Sequence, residues 1–217
     1  MSSPSCRITY PVCRYESSPL RIAVGLKAHS GWAALVAMGA SGHGYQLVDR
    51  RRIELVEPGD ADWAKQPYHA AEGLSPSEAT KIVERGVASA RRIAVREMRA
   101  LVERSQKRGH QIAGCAVLTG TPMPEWTIDQ IRSVHVRMHK AEGLLFPDAL
   151  TSAAGASGLN TIAIPEKTLD ARAEESLDLD EAMASVAALG KAAGPPWGKD
   201  QKTAALAAMI VLEEASR

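Results

Sequence analysis

The sequence predicts an α/β fold: a mixed sheet of three antiparallel strands followed by a β-α-β-α succession, flanked by helices. Three observations carry this expectation. Short apolar runs at 21–27, 32–38 and 45–56 are separated by the turn sequences HSG and SGHG, the punctuation of consecutive hairpins. From residue 75 the apolar spacing becomes helical and stays so to Gly109. The run QIAGCAVLTG at 111–120 is then apolar on both alternations, as a strand covered on both faces requires.

In order, RIAVGLK is a buried strand, WAALVAM its hairpin partner, and YQLVDRRRIELVE a third strand partly exposed at Asp49 to Arg52. Residues 57–74 read as a loop. The long helix opens at Ser75 as N-cap, with Pro76 in the first helical position and Glu78 closing a capping box. Its apolar positions Ala79, Ile82, Val83, Val87, Ala90, Ile93, Ala94 and Leu101 share one stripe, and Gly109 ends it. Arg91, Arg92, Arg96, Arg99, Arg104, Lys107 and Arg108 decorate the same helix. Beyond the central strand, Thr127 and Gln130 cap a helix reaching to about Glu142, and Pro147 with Asp148 starts a shorter one. LNTIAIPE is the fifth strand, followed by helical sequence to about Leu189, the rigid loop AAGPPWGKDQ, and an Ala-rich closing helix with Asp200 as N-cap. Residues 1–20, Ser/Pro-rich and aperiodic, are expected to be a flexible extension to a domain at 21–217.

Composition bounds function. Twenty-six basic against 25 acidic residues leave a net charge of +1, so no global field draws the chain to nucleic acid or an anionic membrane. Aromatic residues make up 4% with a single Phe, so the core is built from aliphatic side chains. Cys6, Cys13 and Cys115 follow neither a disulfide nor a zinc spacing. With no signal pattern and no long apolar run, the expectation is a cytoplasmic protein without membrane contact. Ala-rich helices also make a homo-oligomer an open expectation.

The pentapeptides HAAEG (69–73) and HKAEG (139–143) share four positions. On the second helix His135, His139 and Glu142 fall at i, i+4 and i+7, a stripe separate from Ile131, Val134, Met138 and Ala141. Two imidazoles one turn apart can hold one metal ion, and a mixed His/carboxylate set suits Zn, Mn or Fe. His135, His139 and Glu142 are therefore candidate metal ligands, and His69 and Glu72 candidates for the same neighbourhood.

Two segments carry a family resemblance. IAVGLKAHSGWAALV is similar to the first hairpin, and KTAALAAMIVL to the closing helix, of RuvC-type Holliday-junction resolvases in the ribonuclease H-like superfamily. The resemblance spans about residues 21–215 and implies that fold. It also implies a two-metal nuclease centre built from carboxylates, yet the corresponding positions here are Lys27, Thr119, Gln201 and Ala204, with Asp200 one place out of register. Lysine repels a divalent ion. The resemblance thus implies a domain without the nuclease acids, and Lys27, His29 and Lys202 become candidates for binding an anionic or phosphorylated small molecule. Combined with His69, Glu72, His139 and Glu142, these residues make one expected site. Two alternatives stand beside it: a non-catalytic nucleic-acid-binding module using the basic helix and Trp197, and a metal-dependent hydrolase with a rebuilt His/Glu centre.

Overall fold

The computed structural model describes residues 19–41 and 44–217; the expected flexible extension lies almost wholly outside them. Its last residue, Leu20, already belongs to the fold, donating from its amide to His110 Nδ1 and accepting from Gln111 N. Strands β1 (Arg21–His29), β2 (Trp32–Ser41) and β3 (Gly44–Glu54) form an antiparallel meander. Short helices α1 (Ala61–Ala64) and α2 (Pro67–Ala70) interrupt the expected loop before α3 (Pro76–Lys107). Strand β4 (Gln111–Thr119) pairs parallel with β1, and β5 (Thr161–Pro165) parallel with β4, giving the sheet order β3-β2-β1-β4-β5. Between β4 and β5 lie α4 (Ile128–Arg132) and α5 (His135–Ala156); α6 (Leu169–Ser176), α7 (Leu179–Ala193) and α8 (Lys199–Glu214) complete the chain.

Strand alternation sorts the core. Ile22, Val24 and Leu26 of β1 pack with Ile93, Met98 and Leu101 of α3 and Phe146 and Leu150 of α5. Ala23, with Ala116 and Leu118 of β4, faces α8 instead. Gly25 lies on that second face, where a Cβ would fall 1.8 Å from the carbonyl oxygen of Ala204, so the backbones of β1 and α8 meet without side chains between them. Lys27 and His29 continue this alternation, whereas α2 and α5 belong to the other side. The sheet separates them.

Local signals account for most boundaries. Ser75 Oγ accepts from Glu78 N, completing the capping box of α3, and Thr127 caps α4 in the same way. Cys115 is fully buried and its thiol is pushed up to about 12 by burial, the inert core cysteine expected of a central strand. Three boundaries depart from expectation. The helix begun at Thr127 breaks at Ser133 and restarts after an extended Val134. Pro147 lies inside α5 rather than at the start of a new helix. Its lost backbone bond is outweighed by the face on which Leu144, Leu145, Phe146, Ala149 and Leu150 are buried. Gly198, not Asp200, is the N-cap of α8, its amide donating to Gln201 Oε1; Asp200 sits in the first turn and turns toward His29.

Candidate metal centre

The restart of α5 sets the position of two histidines. His135 is its first residue and His139 lies one turn on, so both project from the end of the helix into solvent; the His135 side chain is 66% exposed. Their Nε2 atoms are 3.0 Å apart. A third imidazole comes from α2, where Pro67 pre-sets the first helical position and His69 lies in the last turn. The His69 ring centroid is 4.7 Å from that of His139 and 5.2 Å from that of His135. One nitrogen from each of the three rings lies within 4.8 Å of the others. Beneath them Tyr68, Ala71, Ala79, Val83, Ile131, Met138 and Ala141 form a small core that fixes α2 against α3, α4 and α5.

Glu142 holds the arrangement. It is 4% exposed, and a carboxylate so buried is tolerated only with its lone pairs filled. Oε1 accepts from the amides of Tyr68 at 3.1 Å and His69 at 3.0 Å; Oε2 accepts from His69 Nδ1 at 2.6 Å and from Gln66 Nε2 at 3.4 Å. The two amides belong to the first turn of α2, whose own N-cap residue Gln66 makes no side-chain cap. Glu142 therefore caps α2 from another helix, where a negative charge is favoured by the helix dipole. Burial first, and then this charge, raises the phenol of Tyr68.

One consequence is chemical. A hydrogen bond from His69 Nδ1 to a carboxylate puts a proton on Nδ1, so the neutral ring carries its lone pair on Nε2, the tautomer of a metal-ligating histidine with its supporting carboxylate. Glu72 stands 3.8 Å from Nδ1 of His135, on the side away from Nε2. Arg132 ties the intervening turn to α4, donating from Nη2 to the carbonyls of Ala71 and Leu74 at 2.9 Å each.

The set fits a divalent transition metal. Tetrahedral ligation at metal–nitrogen distances near 2.0–2.1 Å spaces ligand nitrogens about 3.3 Å apart. The His135–His139 pair at 3.0 Å is close to that spacing, and a nitrogen of His69 lies within 4.8 Å of both. Three imidazoles with no thiolate suit Zn, Fe, Ni or Cu rather than Mg or Ca. Glu142, grouped by the sequence with the ligands, is spent on His69 and the α2 amides.

The other expected residues lie across the sheet. Lys27 is largely buried and forms an ion pair with Glu166, just beyond β5. His29 stacks on Trp32 with centroids 4.4 Å apart, and the guanidinium of Arg52 covers the indole at 3.9 Å. The Nε2 of His29 is 3.0 Å from Asp200 Oδ1 but off the hydrogen-bonding direction. Lys202 is exposed on α8. The single site expected from Lys27, His29, Lys202 and the HxAEG residues is thus divided: His69, Glu72, His135, His139 and Glu142 come together, and Lys27 and His29 meet Glu166 and Asp200 instead. Sequence reasoning did not name Glu166 as a partner. The available signal was an acid placed directly after an apolar strand, where parallel strand ends converge.

On α3, Arg91, Arg92, Arg96 and Arg99 share one groove, with Glu57 drawing Arg92 (3.5 Å) and Arg96 (3.0 Å) toward it. Trp197 is anchored, donating from Nε1 to Val186 O at 3.0 Å and seated where Gly190 leaves room.

No family model matches the sequence, and no curated protein matches it either. Among solved structures, RuvC from Thermus thermophilus superposes with a TM-score of 0.51 at 11% identity, covering 90% of this chain and 95% of that one. T. thermophilus RuvC in complex with Holliday junction substrate gives 0.50 at 9% identity with the same coverage. The fold is ribonuclease H-like. Within that ribonuclease H-like frame the adjacent parallel strands β1, β4 and β5 end near Lys27, Thr119 and Glu166. Among the described residues no helix is long and apolar enough to cross a membrane.

Proposed function

We propose that this ribonuclease H-like domain works through one divalent transition-metal ion held by His69, His135 and His139, with a fourth position open to water or an exogenous ligand. The observation that carries the reading is the convergence of three ring nitrogens within 4.8 Å, one of them oriented by a buried carboxylate. Three protein ligands with an open position are the arrangement of metal centres that activate a ligand, whereas structural sites are closed by four. On the other face of the sheet the Lys27–Glu166 pair neutralises itself. That supports a domain without the two-metal carboxylate chemistry of nucleases, and an anion reaching Lys27 has to displace Glu166.

Elemental analysis of protein purified without a histidine tag tests the reading. About one equivalent of Zn, Fe or another divalent transition metal is expected, lost in His139→Ala and retained in Lys27→Ala. Metal-free wild type that also fails to take up zinc on reconstitution contradicts it.

A second reading is supported by the α3 groove: a nucleic-acid-binding surface formed by Arg91, Arg92, Arg96 and Arg99. The structural likeness to RuvC bound to a Holliday junction makes branched DNA the first probe. The expected result is binding that weakens steeply with salt and falls in Arg91→Ala/Arg99→Ala; salt-independent or absent binding contradicts it.

A further inference from the structure

Resting on the metal reading above, we infer that the centre hydrolyses acyl esters with an apolar acyl group, in preference to phosphoesters. Two features of the rim separate these classes. The first is where exposed apolar surface lies. Among the described residues four large hydrophobics are exposed, and three of them, Leu74, Val134 and Val136, border the histidines in the chain. Val134 and Val136 flank His135, and Val136 is 60% exposed. Leu74 is two residues from Glu72 and is tied to α4 through Arg132. Exposed apolar side chains next in the chain to the candidate ligands offer an incoming acyl group apolar surface to cover.

The second feature is the cation inventory. A phosphoester needs several donors for its non-bridging oxygens. Here Arg132 is committed to Ala71 O, Leu74 O and Asp129, and Arg137 to Gln130 O and the face of Trp126. Lys140 alone offers an exposed ammonium with no pairing among the described residues of α5's first turns. Glu72 and Glu142 further lower the positive potential that a phosphate would need. A neutral ester carbonyl asks only for the metal as electrophile.

The step balances without a redox partner. Metal-bound water, its pKa lowered to about 7 by zinc, gives one proton to solvent. Its oxygen bonds to the carbonyl carbon, and the resulting oxyanion is stabilised by the metal. Collapse re-forms the carbonyl and breaks the ester C–O bond; the alkoxide takes up the proton of the new carboxylic acid, leaving carboxylate and alcohol.

The test uses zinc-reconstituted full-length protein with p-nitrophenyl acetate, p-nitrophenyl hexanoate and bis(p-nitrophenyl) phosphate as probes, with zinc content measured in parallel. Both esters are expected to turn over, hexanoate with kcat/KM at least about tenfold above acetate, since each methylene transferred from water adds up to about fourfold. Val134→Ser/Val136→Ser should bring the two esters close to parity with one zinc still bound. Phosphodiester turnover exceeding ester turnover overturns the inference and leaves the metal reading standing. So does zinc-loaded protein that turns over neither ester, or that shows no chain-length preference. Protein that binds no zinc defeats the metal reading itself.

Discussion

The sheet edge and the histidine cluster hold similar side chains and differ in how these are paired. At the edge Lys27 is paired with the carboxylate of Glu166, its charge cancelled in place, and His29 stands against Asp200. At the cluster one carboxylate, Glu142, serves a single imidazole and two backbone amides, and nitrogens on three rings still converge outward. A surplus of oriented lone pairs, rather than an inventory of polar residues, is what distinguishes a centre able to bind an ion. The sheet between the two regions lets each be perturbed alone.

The strongest separation comes from Gly25. Its Cβ position is occupied by Ala204 O, so Gly25→Ala pushes α8 off β1 and disturbs the edge from beneath. A loss of about 3 kcal/mol or more is expected, lowering Tm by roughly 6–12 °C. Zinc affinity, measured by chelator competition at a temperature where the variant is folded, should change by no more than about twofold, because the cluster lies on the opposite face. A parallel collapse of affinity breaks the two-region account.

Glu142→Gln attacks the cluster from within. The amide offers one oxygen where the carboxylate supplied two and removes the charge behind His69, so zinc affinity should fall about 10–100-fold. Circular dichroism should show α3 and α5 intact. Unchanged affinity means that Glu142 is a cap for α2 and nothing more.

Much of this was legible in the chain, and the limits have physical reasons. Turn residues, the Ser75 and Thr127 capping boxes and strand alternation are local, so the succession of strands and the starts of α3 and α4 could be read directly. The break at Val134 and the passage of α5 through Pro147 depend on what the helix buries, which no short window contains. The echo of HAAEG and HKAEG pointed to residues that the fold brings together. What it could not supply was the pairing, in which His69 of the first meets Glu142 of the second across 73 residues. Likewise the partner of Lys27 is 139 residues away. Long-range partners decide which polar residues are spent and which remain available.

Two smaller effects sharpen the comparison. Glu166→Gln at the sheet edge should cost about 1 kcal/mol or less, since Glu166 is exposed, with zinc content unchanged; urea denaturation beside metal analysis checks both. On α5, desolvation raises the carboxyl of Asp148, partly offset by Arg91. The folded state thus holds this proton more tightly than the unfolded chain. Its contribution favours folding at low pH and is lost as pH rises from the ordinary carboxylate value, near 3.9, through the raised one. Asp148→Asn should therefore stabilise the protein at pH 7, by at most about 0.5 kcal/mol because the residue keeps contact with solvent, and give no gain at pH 3. A destabilised variant at pH 7 contradicts the sign.

The most direct test of the central claim is X-ray absorption at the zinc edge of the reconstituted protein. The account predicts a first shell of three imidazole nitrogens and one oxygen at about 2.0–2.1 Å, with the imidazole outer-shell scattering lost in His139→Ala. A shell of oxygens alone, unchanged by that substitution, would place the ion elsewhere and contradict it.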